Sequence, residues 1–394
     1  MASNYDDHLR NHGFLLVPGK GWRIVDKPGC EFVRPPTQQP LPEPVHGGDF
    51  GRLWDYVNVT PSRRPLVAGY LLTSICPRLG TYFALVLSGS GGVGKTTACN
   101  TIRGVFDPDE VGLESPPDDP KKLNLQAENT WICGFDNLDR AQPWFSDALC
   151  RISTGGGSRE RELYYNKRCV VFKARRPILL NGIEEVPARG DLLSRSLLVS
   201  LDPIRKKKGA KRLPRLFEAA HPGILGALLD ALAGALPVLD VEPPDEFEAE
   251  TRDPDLDLLI AAGEERLGFP CGAFRDAYRR QATVSSAIPL DSSPVTKPLL
   301  RFLADCEQER GPDEPLWRGS ASLLHDLVSQ HATDEEKRKQ GWPSQPHFLS
   351  GALRKLAANL DTVHGIAVSF DDAGREAKAR PPITFRRSAP ANLV

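Results

Sequence analysis

The chain predicts an α/β fold: a parallel sheet with helices on both faces, built around a phosphate-binding loop, then a helical region and a small C-terminal α+β domain. Three observations predict it. Residues 83–88, Phe-Ala-Leu-Val-Leu-Ser, form a short apolar run of strand type. Gly89-Ser90-Gly91-Gly92-Val93-Gly94-Lys95-Thr96 follows directly, and Thr97 onward can continue as a helix. From about residue 51 to 203, strand-like and helix-like segments alternate, the pattern of a parallel sheet covered by helices.

The loop is a complete motif in the strand–loop–helix context it requires. Its glycines let successive backbone N–H groups turn inward around phosphates, at the positive end of the following helix. Lys95 would reach the terminal phosphates, and the Thr96 hydroxyl would ligate Mg²⁺. Motif and context together outweigh an accidental glycine-rich turn. ATP and Mg²⁺ are therefore expected on Gly89 to Thr96 and Thr97.

Length and composition bound the rest. A chain of 394 residues predicts two or three domains. The expected divisions are a lead-in with short strands over 1–50, the ATPase domain over 51–204, a helical region over 205–312 and the small domain over 313–394. In the lead-in, Gly21-Trp22-Arg23-Ile24-Val25 and Glu31-Phe32-Val33-Arg34 read as strands. A formal charge of −1 leaves no global basic field, so nucleic-acid binding must come from local patches. Eight cysteines without a C-x-x-C pair indicate reduced structural thiols rather than zinc. The start, Met-Ala-Ser-Asn-Tyr-Asp-Asp, has no signal-peptide character, and no apolar run reaches membrane-span length. A soluble, cytoplasmic protein without a membrane partner is expected.

A nucleotide-hydrolysing domain needs a second acidic strand end. Residues 130–135 lead to Asp136, placed to hold Mg²⁺. A carboxylate that polarises water is expected next, but Asn137 stands there and cannot act as a base. Asp139 could substitute, or Asn137 could orient the water. The strand-like run 176–180 ends in Asn181, suited to sensing the γ-phosphate; alone it would read as the start of a turn with Gly182. Arg195 opens a further strand, 196–201. It could reach a neighbouring subunit's nucleotide to stabilise charge on the transferred phosphoryl group, or pair locally with Asp191. Residues 159–173 read as a hairpin whose tip carries Lys167 and Arg168. In a ring, that tip would grip single-stranded DNA by its backbone; otherwise it is a solvated turn.

Helical spacing of Ile224, Leu225, Leu228, Leu229, Leu232 and Leu236 predicts a core helix. The charged run 205–212 before it reads as a solvated connection. In the tail, Leu349, Leu353, Leu356 and Leu360 share one helix face, with Arg354 and Lys355 off that stripe. Two strand-like runs, 364–370 and 382–386, flank a loop holding Arg375, Lys378 and Arg380. Helix plus strand–basic loop–strand outlines a winged helix that could hold duplex DNA, though many such domains bind proteins.

Three blocks carry a family likeness: Phe135-Asp136-Asn137-Leu138 running on to Trp144–Arg151; Ser153-Thr154-Gly155-Gly156-Gly157 with Arg161-Glu162-Leu163-Tyr164; and Asn181-Gly182-Ile183 with Asp191-Leu192-Leu193-Ser194-Arg195-Ser196. They resemble the AAA+-like ATPase module of phage and integrative-element replication proteins, related to the superfamily 3 helicases. Leu316–Leu324, Gly341–Pro346 and Leu349–Leu356 resemble that family's C-terminal segments, so the likeness runs from about Gly21 to Arg387. It implies a hexameric 3′→5′ DNA helicase or a replication-initiation ATPase of a mobile element. Asn137 is usual in the phage-like branch. Many relatives carry a primase domain ahead of the motor, so here priming would come from a separate protein. A nucleotide-dependent initiator or loader, or an ATPase module of an anti-phage system, is the alternative.

Overall fold

The computed structural model describes residues 2–3, 12–25, 35–138, 142–161, 169–182, 190–204, 212–308, 311, 314–370 and 382–388. It divides into two compact units, residues 1–281 and 282–394.

The first unit opens with strands β1 (Ala2–Ser3), β2 (His12–Val17) and β3 (Gly21–Val25), paired antiparallel. Phe14 and Trp22 from this hairpin enter the main core, so the lead-in packs on the domain that follows. Helix α1 (Arg64–Ser74) is buried from Pro65 to Ser74, with the polar Thr73 hydroxyl donating to the Gly69 carbonyl at 2.8 Å.

The central elements then alternate as the sequence predicts. They are β4 (Ala84–Ser88), α2 (Lys95–Gly104), α3 (Pro120–Asn129), β5 (Cys133–Phe135), α4 (Pro143–Ser153), β6 (Gly157–Arg161), β7 (Cys169–Lys173), β8 (Ile178–Asn181), α5 (Gly190–Leu193) and β9 (Ser196–Ser200). Strands β5, β8, β4 and β9 lie side by side in that order, all parallel. Leu85 aligns with Leu179 on one side and Leu197 on the other. Side chains alternate across the sheet. Leu85 and Leu87 join the core that contains Ala98 and Ile102 of α2, whereas Ala84 and Val86 join Leu123 of α3 and Phe145 of α4. Burial on both faces explains why these strands read as unbroken apolar runs.

Both sheet edges are covered by single bridges. Glu114 bridges Phe135 in parallel beside β5, and Val59 bridges Leu201 antiparallel beyond β9. Strands β6 and β7 form a separate antiparallel hairpin, in register from Gly157↔Lys173 to Arg161↔Cys169. Three residues past β7, Arg176 Nε donates to the carbonyls of Ala127 and Thr130 at 2.8 and 2.7 Å.

Helices α6 (Arg212–Ala235), α7 (Pro254–Gly263) and α8 (Ala273–Ser292) follow. The predicted apolar stripe of α6 is buried. The stretch Arg212–Asp240 is long and apolar enough to cross a bilayer, but 61% of its most apolar window lies inside the protein, as in a core helix. A close approach is built into α6. A Cβ on Gly226 would stand 1.8 Å from the Val45 carbonyl oxygen, so only glycine lets this backbone strap lie on the helix.

The second unit contains α9 (Thr296–Gln308), β10 (Trp317–Gly319), α10 (Ala321–Gln330), α11 (Asp334–Arg338), α12 (Pro346–His364), β11 (Ile366–Phe370) and β12 (Ile383–Arg387). Its antiparallel sheet has the order β10–β12–β11. The leucine stripe of α12 packs with Phe302, Trp317, Leu324 and Phe385 in one core. The helical region expected over 205–312 is thus shared out: α6 and α7 belong to the first unit and α9 to the second.

Candidate functional site

The chemistry-bearing residues gather at the carboxyl ends of β4, β5 and β8, where open parallel sheets bind ligands. Gly89, Gly92 and Gly94 have φ of +149°, +81° and +78°. Left-handed backbone of this kind is open to glycine at no steric cost. Val93 is tucked under the loop at 4% exposure, while Ser90, Gly91, Gly92 and Thr97 are exposed. Gly94 precedes α2 with no side-chain cap, so the helix's first amides have no side-chain partner there. Lys95 folds back over the loop, its Nζ donating to the carbonyls of Gly89 at 2.7 Å and Ser90 at 3.3 Å.

The opposite wall comes from β5 and β8. Thr96 Oγ1 donates to Asp136 Oδ2 at 3.0 Å, joining the first turn of α2 to the end of β5. Asn137 is the one non-glycine residue with positive φ among the described residues, at +58°. Its N–H donates to Asn181 Oδ1 at 2.9 Å, and Leu138 N–H donates to the Asn181 carbonyl at 3.0 Å. Asn181 is 1% exposed, and its Nδ2 is buried with no oxygen or nitrogen acceptor. The Cys99 thiol of α2 is its neighbour there; burial pushes that thiol well above its ordinary range, against the pull of the Asn181 side chain.

Arg195 lies at the other end of the sheet. Its carbonyl accepts Ala84 N–H at 3.0 Å, at the amino ends of β4 and β9, so a full strand separates it from the loop. Its Nε stands 3.8 Å from Asp191 Oδ1 and has no hydrogen-bond partner; Arg252 is closer to that oxygen, at 3.1 Å. The local ion pair is present but long. In the second unit, Arg354 and Lys355 are exposed on α12, with the Arg354 guanidinium 4.2 Å from the Phe370 ring centre. Lys167, Arg168, Asp139 and the loop with Arg375, Lys378 and Arg380 lie outside the described residues.

One residue of the site has no motif to announce it. Asn58 Nδ2 donates to the Val93 carbonyl at 3.1 Å and to the Asp202 carbonyl, while Asp202 N–H donates to the Asn58 carbonyl at 3.0 Å. It ties the underside of the glycine loop to the end of β9. A lone asparagine far upstream of the loop gives no sequence signal for this.

Chemically, the arrangement offers uncapped amides and a lysine for an anion, and a hydroxyl–carboxylate pair of hard oxygen donors suited to a small divalent cation.

A family model described as actinomycete integrative conjugative element replication protein matches residues 52–252. A second, the AICE RepA C-terminal domain, matches residues 295–391. No curated protein matches the chain. Among solved structures, the apo A form of the NrS-1 C-terminal region is 11% identical, with a TM-score of 0.38, covering 88% of this chain and 78% of that one. JCV helicase with a bound phenoxyphenyl acetamide is 15% identical, with a TM-score of 0.25, covering 59% and 66%. At these values the overlays establish no shared activity.

Proposed function

The chain belongs to the replication proteins of actinomycete integrative conjugative elements, and from that membership we propose that it is an ATP-driven DNA motor of superfamily 3 type. The observation that carries the proposal is the Thr96–Asp136 contact of 3.0 Å at the uncapped start of α2. Two hard oxygens meet there beside a lysine and free helix amides, the donor set that a nucleotide–Mg²⁺ complex takes.

In this reading, the amides of Gly89 to Thr96 cradle the phosphates, with Thr97 at their edge. Lys95 exchanges its contacts with the Gly89 and Ser90 carbonyls for the terminal phosphates. Thr96 and Asp136 hold Mg²⁺, which when bound offsets charge on the β- and γ-phosphates. Asn137 has an amide that cannot take up a proton, so its part is to orient the attacking water. Asn181 supports Asn137 through Oδ1 and offers Nδ2 to the γ-phosphate. Arg195, a strand's length from its own loop, acts on the nucleotide of an adjacent subunit in a hexameric ring. The β6–β7 hairpin carries Lys167 and Arg168 toward single-stranded DNA.

The second unit, with helix–strand–helix–helix–helix–strand–strand order, is read as a winged helix. Arg354 and Lys355 on α12 are its contacts to duplex phosphates.

The test is ATP hydrolysis with and without single-stranded DNA, for wild type, Lys95→Ala and Arg195→Ala. Stimulation by DNA that both substitutions abolish supports a ring motor with shared sites. Nucleotide binding without turnover under any condition would overturn it. That outcome favours the second reading, a nucleotide-gated replication initiator, which the absence of a basic side chain at Asn137 makes chemically coherent.

A further inference from the structure

Helix α2 is joined to β5 at both of its ends. At the amino end, Thr96 meets Asp136. At the carboxyl end, the joint is Arg103, a cation only 3% exposed. Its Nε lies 3.3 Å from Asp107 Oδ2, one terminal nitrogen lies 3.2 Å from Asp109 Oδ2, and the other donates to the Gly112 carbonyl. A buried guanidinium with all its nitrogens engaged holds its partners in a fixed plane, which a lysine cannot do.

Those partners all brace one turn, residues 107–114, against β5. Asp107 Oδ2 also accepts Ile132 N–H at 3.0 Å, just before the strand begins. Asp109 Oδ1 accepts the N–H groups of Val111 and Gly112 at 2.9 and 3.2 Å, and its Oδ2 accepts the Thr37 hydroxyl at 2.8 Å. The turn then delivers Glu114 to the outer edge of β5. There Glu114 N–H donates to the Gly134 carbonyl at 3.1 Å, and the Glu114 carbonyl accepts Asp136 N–H at 2.8 Å. The main chain of Asp136 is thereby held by a segment whose shape Arg103 sets.

We propose that Arg103 is a positioning residue for the divalent cation: through the 107–114 turn it fixes Asp136 at the distance from α2 at which its carboxylate and the Thr96 hydroxyl serve one ion. This rests on reading Lys95, Thr96 and Asp136 as the nucleotide–Mg²⁺ site. Asp136 follows a three-residue strand at the edge of the four-stranded sheet. Its place relative to α2 therefore depends on the turn that flanks it. Outer-shell partners of this kind govern metal affinity without touching the metal.

The experiment uses the full chain and three measurements: ADP binding in EDTA, Mn²⁺ binding in the presence of ADP by electron paramagnetic resonance, and ATP hydrolysis against Mg²⁺ concentration. Arg103→Lys and Asp109→Asn should bind metal-free ADP as wild type does but bind Mn²⁺ about tenfold more weakly, with a matching rise in half-saturating Mg²⁺. Folded variants with a lowered melting temperature and wild-type Mn²⁺ affinity would overturn the inference, leaving Arg103 a purely structural ion pair. Should both variants fail to fold, Thr37→Val removes only one hydroxyl from the cluster. A shift of about threefold in Mn²⁺ affinity is then expected, and no shift overturns the proposal. Failure of the underlying reading shows separately, as wild-type protein that binds no ADP or Lys95→Ala protein that binds it equally well.

Discussion

The side-chain oxygen of Asn181 accepts the backbone N–H of Asn137 at 2.9 Å, so the two asparagines expected to act separately form one unit. Asn137 sits at φ +58°, a left-handed conformation that costs a residue with a Cβ about 1–2 kcal/mol and that asparagine tolerates better than most. The Asn181 contact, with the Leu138 N–H bond to the same residue's carbonyl, holds that conformation in place. Only Nδ2 of Asn181 is left over.

Asn181→Asp separates the two roles. It keeps an oxygen for Asn137 N–H and replaces the donor with an anionic acceptor. If Nδ2 meets the γ-phosphate, hydrolysis falls about a hundredfold while ADP affinity stays near wild type. Single-turnover rates beside ADP titrations read this out. Retained turnover would reduce Asn181 to a support for Asn137.

The glycine loop makes a graded prediction. At Gly92 a Cβ meets nothing within 4 Å, so Gly92→Ala costs only the backbone strain of φ +81°. At Gly94 the same strain is joined by Ile204 Cδ1, 3.1 Å from the added carbon. Where the free variant loop relaxes from this strain and nucleotide binding restores it, affinity should fall about tenfold for Gly92→Ala, from about 1–2 kcal/mol, and further for Gly94→Ala. Calorimetric titration with ADP checks the order. Equal losses would mean that Ile204 yields freely.

Arg195 invites a mixing experiment, because its distance from its own loop and its unpartnered Nε both leave it to act elsewhere. Lys95→Ala and Arg195→Ala proteins should each be inactive. In a head-to-tail ring assembled from both, some interfaces pair an intact loop with an intact arginine. Mixed equally, they should recover about a quarter of wild-type hydrolysis. No recovery, in mixtures shown to exchange subunits, would return Arg195 to its local pair with Asp191.

The sheet was legible because parallel strands buried on both faces are written as apolar runs, and the loop because its glycines and lysine are contiguous. Strands at 84–88, 178–181 and 196–200 fall where the runs predict. Strand β2 was missed. Phe14–Val17 is itself a short apolar run, but its pairing with β3 shows only once the turn at 18–20 closes. Strand β10 is three residues long and is defined by its partner β12 rather than by its own sequence. Asn58 and Arg103 were invisible for a different reason. Their roles are hydrogen bonds across large sequence separations, and single polar residues have no period or spacing from which to infer a partner.

His221 supplies a pH test of the helix packing behind the loop. Its Nε2 faces the Val105 carbonyl at 2.9 Å, and Phe217 stacks on its ring at 4.8 Å. Burial lowers its pKa from 6.5, with the Val105 contact opposing. A base depressed by folding contributes stability that is complete above pH 6.5 and is lost as pH falls toward the folded-state value, because the unfolded chain takes up the proton first. The melting temperature should therefore drop more for wild type than for His221→Gln as pH is lowered from about 8 to 5. Parallel pH profiles would show that His221 is solvated in solution.

The hairpin prediction concerns charge rather than shape. Strands β6 and β7 pair in register from Gly157↔Lys173 to Arg161↔Cys169, and in sequence Lys167 and Arg168 fall between them. Two cations on single-strand phosphates release counterions on binding, each steepening the fall of log K with log salt by about 0.7. Lys167→Ala with Arg168→Ala should thus flatten that slope by about 1.4 and weaken binding equally across DNA sequences. Arg354→Ala with Lys355→Ala should leave the single-strand slope unchanged and affect duplex binding alone. Fluorescence anisotropy across a salt series, on single- and double-stranded oligonucleotides, distinguishes the two surfaces. An unchanged single-strand slope in the hairpin variant would place the DNA grip elsewhere in the chain.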